Sequence, residues 1–232
     1  MYSPIFKRSA FSTTLQARSS APPQADTKVH ASHALPRLAR RLRGASSPRV
    51  LDLGAVVGSN LQFFIDLNCK VTADDFLRPV EAVVPDNGNG GGPDWKAPTA
   101  RRLEYPDASF DAILCWDLFD LLGPKEAQAF SVEMRRLVKP GGIVMAYFTA
   151  RQAESRELRR RFRVLDQERI EWASLGQVRP TRHIYQNRDI ERMFEGFKTL
   201  VATFLQNGVR EILLEKKIPL SSRPASSAPT PK

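Results

Sequence analysis

Two short apolar runs, Leu200 to Leu205 and Val209 to Leu214, stand on either side of Asn207-Gly208. Asn-Gly is the strongest two-residue hairpin turn, because both residues tolerate the positive φ that a type I′ turn requires. The chain is therefore expected to finish in a pair of antiparallel strands. What precedes them alternates short apolar runs with segments of helical period, the pattern of parallel strands joined by crossover helices. An α/β chain that ends in an antiparallel hairpin has few folds open to it.

The alternation can be followed along the chain. Arg49 to Leu53 reads as a strand that runs into Gly54, and Leu61 to Leu67 as the helix after it. Val71 to Asp75 is a second strand, followed by a helix around Arg78 to Val84. Asp86 to Trp95, with Gly88, Gly90, Gly91 and Gly92, reads as a mobile loop. Phe110 to Trp116 is another strand. Glu126 to Val138 is a helix stopped by Lys139-Pro140-Gly141-Gly142, Ile143 to Phe148 a strand, and Asp189 to Phe197 a last helix.

A length of 232 residues, 42% of them hydrophobic, suits one domain with appendages. The folded unit is expected at 46–218. Residues 1–45 form a basic, Ser/Arg/Pro-rich extension expected to be disordered, and 219–232 a disordered tail. Within the extension, Leu35, Leu38 and Leu42 with Arg37, Arg40, Arg41 and Arg43 predict a short basic amphipathic helix leading into the domain. No apolar run approaches the ~20 residues that a membrane crossing needs. Two cysteines, Cys69 and Cys115, cannot make a disulfide framework or a four-thiolate zinc site, so no metal is expected and a reducing compartment, the cytoplasm, is. In a eukaryotic source the acid-free stretch up to Ala25 also fits a mitochondrial transit peptide, which would place the protein in the matrix.

The net charge of +10 is unevenly placed. Residues 1–49 carry nine Lys and Arg against the single Asp26, whereas 50–150 are net acidic. A basic arm of this kind could grip nucleic acid phosphates, or it could be a solvated tail.

Val50 to Gly58 reads D-x-G-x-x-x-G from Asp52, with Gly54 and Gly58 as its glycines. Asp75 follows Asp52 by 23 residues. With the Leu103 to Asp111 stretch, Lys139 to Gly142 and the terminal hairpin, these features make residues 48–218 resemble the class I S-adenosylmethionine-dependent methyltransferases. The resemblance implies a Rossmann-like, doubly wound, mostly parallel sheet with helices on both faces and a C-terminal antiparallel hairpin strand. It implies S-adenosyl-L-methionine as cofactor. Its methionine end would lie at the Gly54–Gly58 turn, near Asp52 and a helix N-terminus, and its ribose hydroxyls on Asp75 or the neighbouring Asp74. The family's middle glycine is Val56 here, and Thr99-Ala100 stands where an Asp-Ala pair often holds the adenine. Asp94, backbone groups, or Trp116 and Asp117 are the alternatives for that task.

Methyl transfer from a sulfonium is an in-line displacement driven by positioning, so no catalytic acid or base is singled out. The acceptor is expected to be read by an insertion at 151–188, serving as a substrate lid, with a charged helix over Glu154 to Arg161. A small hairpin follows, from Arg163 to Asp166 and Ile170 to Trp172. Arg179, Arg182, His183 and Tyr185 are the substrate candidates, suiting an anionic or aromatic acceptor, with a small molecule favoured. The alternative is a catalytically inactive methyltransferase-like module that binds nucleic acid or protein through its basic segments. Oligomeric state is not legible.

Overall fold

A computed structural model describes residues 27–76, 103–150, 158–178, 183–205 and 208–219. The expected helix near 78–84, the Gly-rich loop, Asp94, Thr99-Ala100, Arg179 and Arg182 lie outside the described residues.

Four parallel strands make the centre. β2 (Arg49–Asp52) lies between β3 (Lys70–Ala73) and β4 (Phe110–Trp116), and β5 (Val138–Thr149) pairs with β4 on the far side. The hairpin predicted from Asn207-Gly208 is present as β8 (Phe197–Phe204) and β9 (Val209–Lys216), with Gly208 at φ +77°. β9 inserts antiparallel against β5, giving the order β3-β2-β4-β5-β9-β8. This is the expected doubly wound sheet closed by a reversed strand.

Helices cover both faces. α2 (Gly58–Asp66) and α1 (Ala34–Arg43) pack on one side with Phe64, Leu114, Met145 and Leu213. α3 (Pro124–Leu137) and α4 (Asn187–Met193) pack on the other with Phe119, Phe148 and Ile212. The inner strands β4 and β5 are thus apolar on both faces, which is why Ile143 to Phe148 reads as an unbroken run rather than an alternating one.

The N-terminal boundary is corrected by this arrangement. Residues 27–44 are part of the fold, not of a disordered extension. The leucines of α1 are buried as the amphipathic pattern requires, with Leu35 and Leu38 fully so. The helix N-terminus rests on Glu211 of β9, which is fully buried. Glu211 accepts from His33 N (2.7 Å), Ala34 N (3.0 Å), the Ser32 hydroxyl (2.5 Å) and the Tyr147 hydroxyl (2.9 Å). A carboxylate at a helix N-terminus suits both the free N–H groups and the dipole.

A second sheet is antiparallel throughout, ordered β1-β7-β6. β1 (Thr27–Ala31) precedes α1, while β6 (Leu158–Val164) and β7 (Arg169–Val178) form the hairpin of the insertion. The expected charged helix over 154–161 is therefore a strand from Leu158 onward; alternate residues Arg161 and Arg163 face solvent while Phe162 and Val164 face the core, a period of two. No helix among the described residues is long and apolar enough to cross a membrane.

Candidate functional site

Because β2, β3 and β4 run parallel, their C-terminal ends share one edge. That edge carries Asp52 at the end of β2, Asp74 and Asp75 just past β3, and Trp116 and Asp117 at the end of β4. Six of the seven residues singled out for cofactor binding, Asp52, Gly54, Asp74, Asp75, Trp116 and Asp117, are brought to it. The seventh, Gly58, is the first residue of α2, and a side chain there would meet no neighbour within 4 Å.

Asp52 is almost fully buried at the hub of the loop. One carboxylate oxygen accepts from the Gly54 backbone N–H (3.0 Å) and from the Trp116 indole N–H (2.6 Å). Burial pushes its carboxyl above the ordinary range, hydrogen bonds from Trp116, Gly54 and Asn60 pull the other way, and the charge of Asp75 adds to the rise. Asp74 is tied in by its backbone N–H to Asp52 O (2.9 Å), and its carboxylate accepts from the Tyr105 hydroxyl at 3.3 Å.

Gly54 is required here by the close approach of Trp116: a Cβ at Gly54 would lie 2.4 Å from indole Cδ1. Trp116 itself sits at φ +49°, a region that a bulky residue enters at a cost of about 1–3 kcal/mol. That backbone turn leans the indole back across the β2 loop. The ring then stacks nearly parallel on Phe162 of β6, with centroids 5.1 Å apart and planes 12° from parallel, and Phe162 lies in the same way against Tyr147 at 5.2 Å.

Two side chains hold the insertion against this loop: Asn60, which no sequence signal marks, and Arg160. Asn60, buried on α2, donates from its amide to Phe162 O (3.1 Å) and accepts from Val164 N (2.7 Å), so its side chain pairs with β6 as a strand would. Arg160 reaches over the Trp172 ring at 4.3 Å and stands 3.9 Å from Asp117. Arg160 was expected to face outward on a helix. On a strand it faces inward instead.

Between Gly54, Ala55, Trp116, Asp117, Leu118, Arg160 and Phe162 lies a recess of about 20 Å³, room for roughly one water molecule. Beside this recess, just past β3, Asp74 and Asp75 put two carboxylates at a strand end, chemistry that would suit a donor's ribose hydroxyls. The donor's methionine end does not fit over Gly54 while the indole occupies that place.

Asp120 lies one turn beyond Trp116, in the 3-10 turn Leu118–Leu121. It is buried and accepts from Thr149 N and from the Thr149 hydroxyl (2.6 Å) at the end of β5. Burial pushes its carboxyl up to about 7. Tyr185, expected at the acceptor, is also in the core: its hydroxyl donates to Leu122 O at 2.6 Å, and burial raises it well above the ordinary phenol range. His183 packs edge-on against it with centroids 4.7 Å apart. Arg179 and Arg182 fall outside the described residues.

Residues 50–142 match the family model described as a methyltransferase domain. Over 89 residues the chain is 30% identical to the probable methyltransferase ltbC of Aspergillus luteorubrus; the match takes in 38% of this chain and spans 31% of that relative's length. Among solved structures the chain is similar to a SAM-dependent methyltransferase from Methanosarcina mazei, with 16% identity, 75% of this chain and 95% of that one covered, and a TM-score of 0.47. It is similar as well to the 1,6-didemethyltoxoflavin-N1-methyltransferase of Burkholderia thailandensis, with 15% identity, coverage of 80% and 79%, and a TM-score of 0.43.

Proposed function

From the match of residues 50–142 to a methyltransferase-domain family model, we propose that the protein is an S-adenosylmethionine-dependent methyltransferase whose donor binds at the ends of β2, β3 and β4. The observation that carries this reading is the gathering of Asp52, Gly54, Asp74 and Asp75 on one sheet edge within the matched segment. In this reading Asp75 accepts from the ribose hydroxyls, two acceptor oxygens meeting two vicinal donors, and Asp74 stands beside it. Asp52 fixes the shape of the loop through the Gly54 N–H rather than touching the donor. The donor, when bound, supplies an electrophilic methyl group.

The acceptor is a small molecule with an aromatic or anionic part. Support comes from the residues facing the same edge from the insertion: Phe162 offers an apolar plane and Arg160 a guanidinium. His183, Arg179 and Arg182 stay as candidates on the sequence pattern alone. Nucleic acid binding through the basic segment 1–45 is a second role, on the sequence pattern alone. The closed recess favours a second reading, a module of the same fold without activity.

Calorimetry with S-adenosylhomocysteine tests the proposal. Asp75→Ala should weaken binding about tenfold or more, the loss of one or two charge-assisted hydrogen bonds. Wild-type protein that takes up neither this compound nor S-adenosylmethionine at millimolar concentration would leave only the inactive module.

A further inference from the structure

The insertion hairpin and the donor loop share one aromatic contact, and that contact sits where the donor's methionine end has to go. Trp116 comes from β4 and covers Gly54 so closely that the glycine has no room for a Cβ. Its N–H satisfies buried Asp52, and its face is covered by Phe162, which is itself held to α2 by Asn60. The remaining space is that of about one water. A residue in the left-handed region with a large side chain is uncommon, and such strain concentrates where a site switches between arrangements.

We propose that Trp116 and Phe162 form a stopper in the donor site: admitting the methionine end requires the indole to leave Gly54, and its departure strips Phe162 of one of its two stacking partners, leaving only Tyr147, and loosens the β6–β7 hairpin. This rests on the methyltransferase reading. Donor binding and hairpin docking are thereby coupled with opposite sign, since each uses the space or the partner that the other needs. The open form presents Arg160 and Phe162 to the edge where the methyl group arrives, so the same movement that admits the donor makes room for the acceptor. Trp116 acts on the donor by exclusion, unlike an aromatic platform, which would bind it.

The experiment compares S-adenosylhomocysteine binding, by calorimetry, in wild type, Trp116→Ala and Phe162→Ala, with hydrogen exchange of the β6 amides measured alongside. The stopper predicts at least tenfold tighter binding in Trp116→Ala and several-fold tighter binding in Phe162→Ala. It also predicts faster exchange at Phe162 and Val164 when the ligand saturates the wild type. Should Trp116→Ala fail to fold, Phe162→Ala and wild-type exchange carry the test. Wild-type binding that is unchanged or weakened in the folded variants, with β6 exchange unaffected by ligand, overturns the stopper and leaves the donor site standing. No binding by any of the three proteins overturns both.

Discussion

The six-stranded and three-stranded sheets are held in different ways. The inner strands of the large sheet, β2, β4, β5 and β9, are apolar on both faces and, among the described residues, covered by helices above and below. The small sheet has an exposed edge in β1, whose residues are mostly in solvent, and it meets the rest of the molecule through one face, where Phe162, Val164, Ile170 and Trp172 join the core around Phe64 and Tyr147, and through single polar side chains such as Asn60. Its partners are also remote in sequence: Ala31 pairs with Arg169. A sheet of the first kind survives the loss of any one contact. The second, buried on one face only, has fewer contacts to lose and opens at lower cost.

The largest expected effect comes from removing the strap that joins the two sheets. Deleting residues 1–44 takes away β1, α1 with its five buried apolar residues, and three of the four donors to Glu211, leaving only the Tyr147 hydroxyl. At about 1.5–3 kcal/mol for each of the three buried leucines, that is a large share of the roughly 5–15 kcal/mol that holds a domain folded. Thermal unfolding followed by circular dichroism should lose its cooperative transition, whereas deletion of 1–26 should leave the midpoint within a degree or two. A cooperative transition that persists without residues 27–44 would make α1 a passenger.

A smaller effect should separate the sheets without unfolding either. Asn60→Ala removes both hydrogen bonds to β6 and strands Val164 N, at a cost of about 1–3 kcal/mol. Hydrogen exchange should quicken in β6 and β7 while the amides of β4 and β5 keep their protection. Uniform quickening across both sheets would mean that they open as one unit.

A further effect is a slope with pH, set beside the large sheet. Asp120 has its carboxyl raised to about 7 by burial, against 3.8 when free in solution. The folded state then holds this proton more tightly than the unfolded state. Its contribution to stability is complete below about pH 4 and is lost as pH rises toward 7. In chemical denaturation, Asp120→Asn should flatten the fall in stability between pH 4 and 7. An equal slope in the variant would assign it to other groups.

Legibility followed the same division. Apolar runs, a helix stop and one Asn-Gly turn were enough for the large sheet, because each of those signals is local. The acids at the strand ends were legible through their spacing from Gly54. The small sheet was only half visible. Its hairpin could be read, but β1 shows no alternation because it lies at an exposed edge, and Arg160 took on an outward role once the segment was read as a helix. Asn60 and Glu211 give no local signal at all. Each is a polar residue in an ordinary position, and its meaning comes from a partner about 100 residues away or more. Tyr185 misled for the opposite reason: a tyrosine among basic residues resembles a binding side chain until the carbonyl it donates to is known.

The central claim is that the donor binds at the ends of β2, β3 and β4, and backbone amide NMR with S-adenosylhomocysteine tests it most directly. The account predicts shifts confined to Leu53 to Gly58, Asp74 to Phe76 and Cys115 to Leu118, together with loss of protection at the Trp116 indole N–H as its bond to Asp52 opens. Shifts that leave those three segments untouched and gather elsewhere, for example along α4 at Arg188 to Glu195, would contradict it.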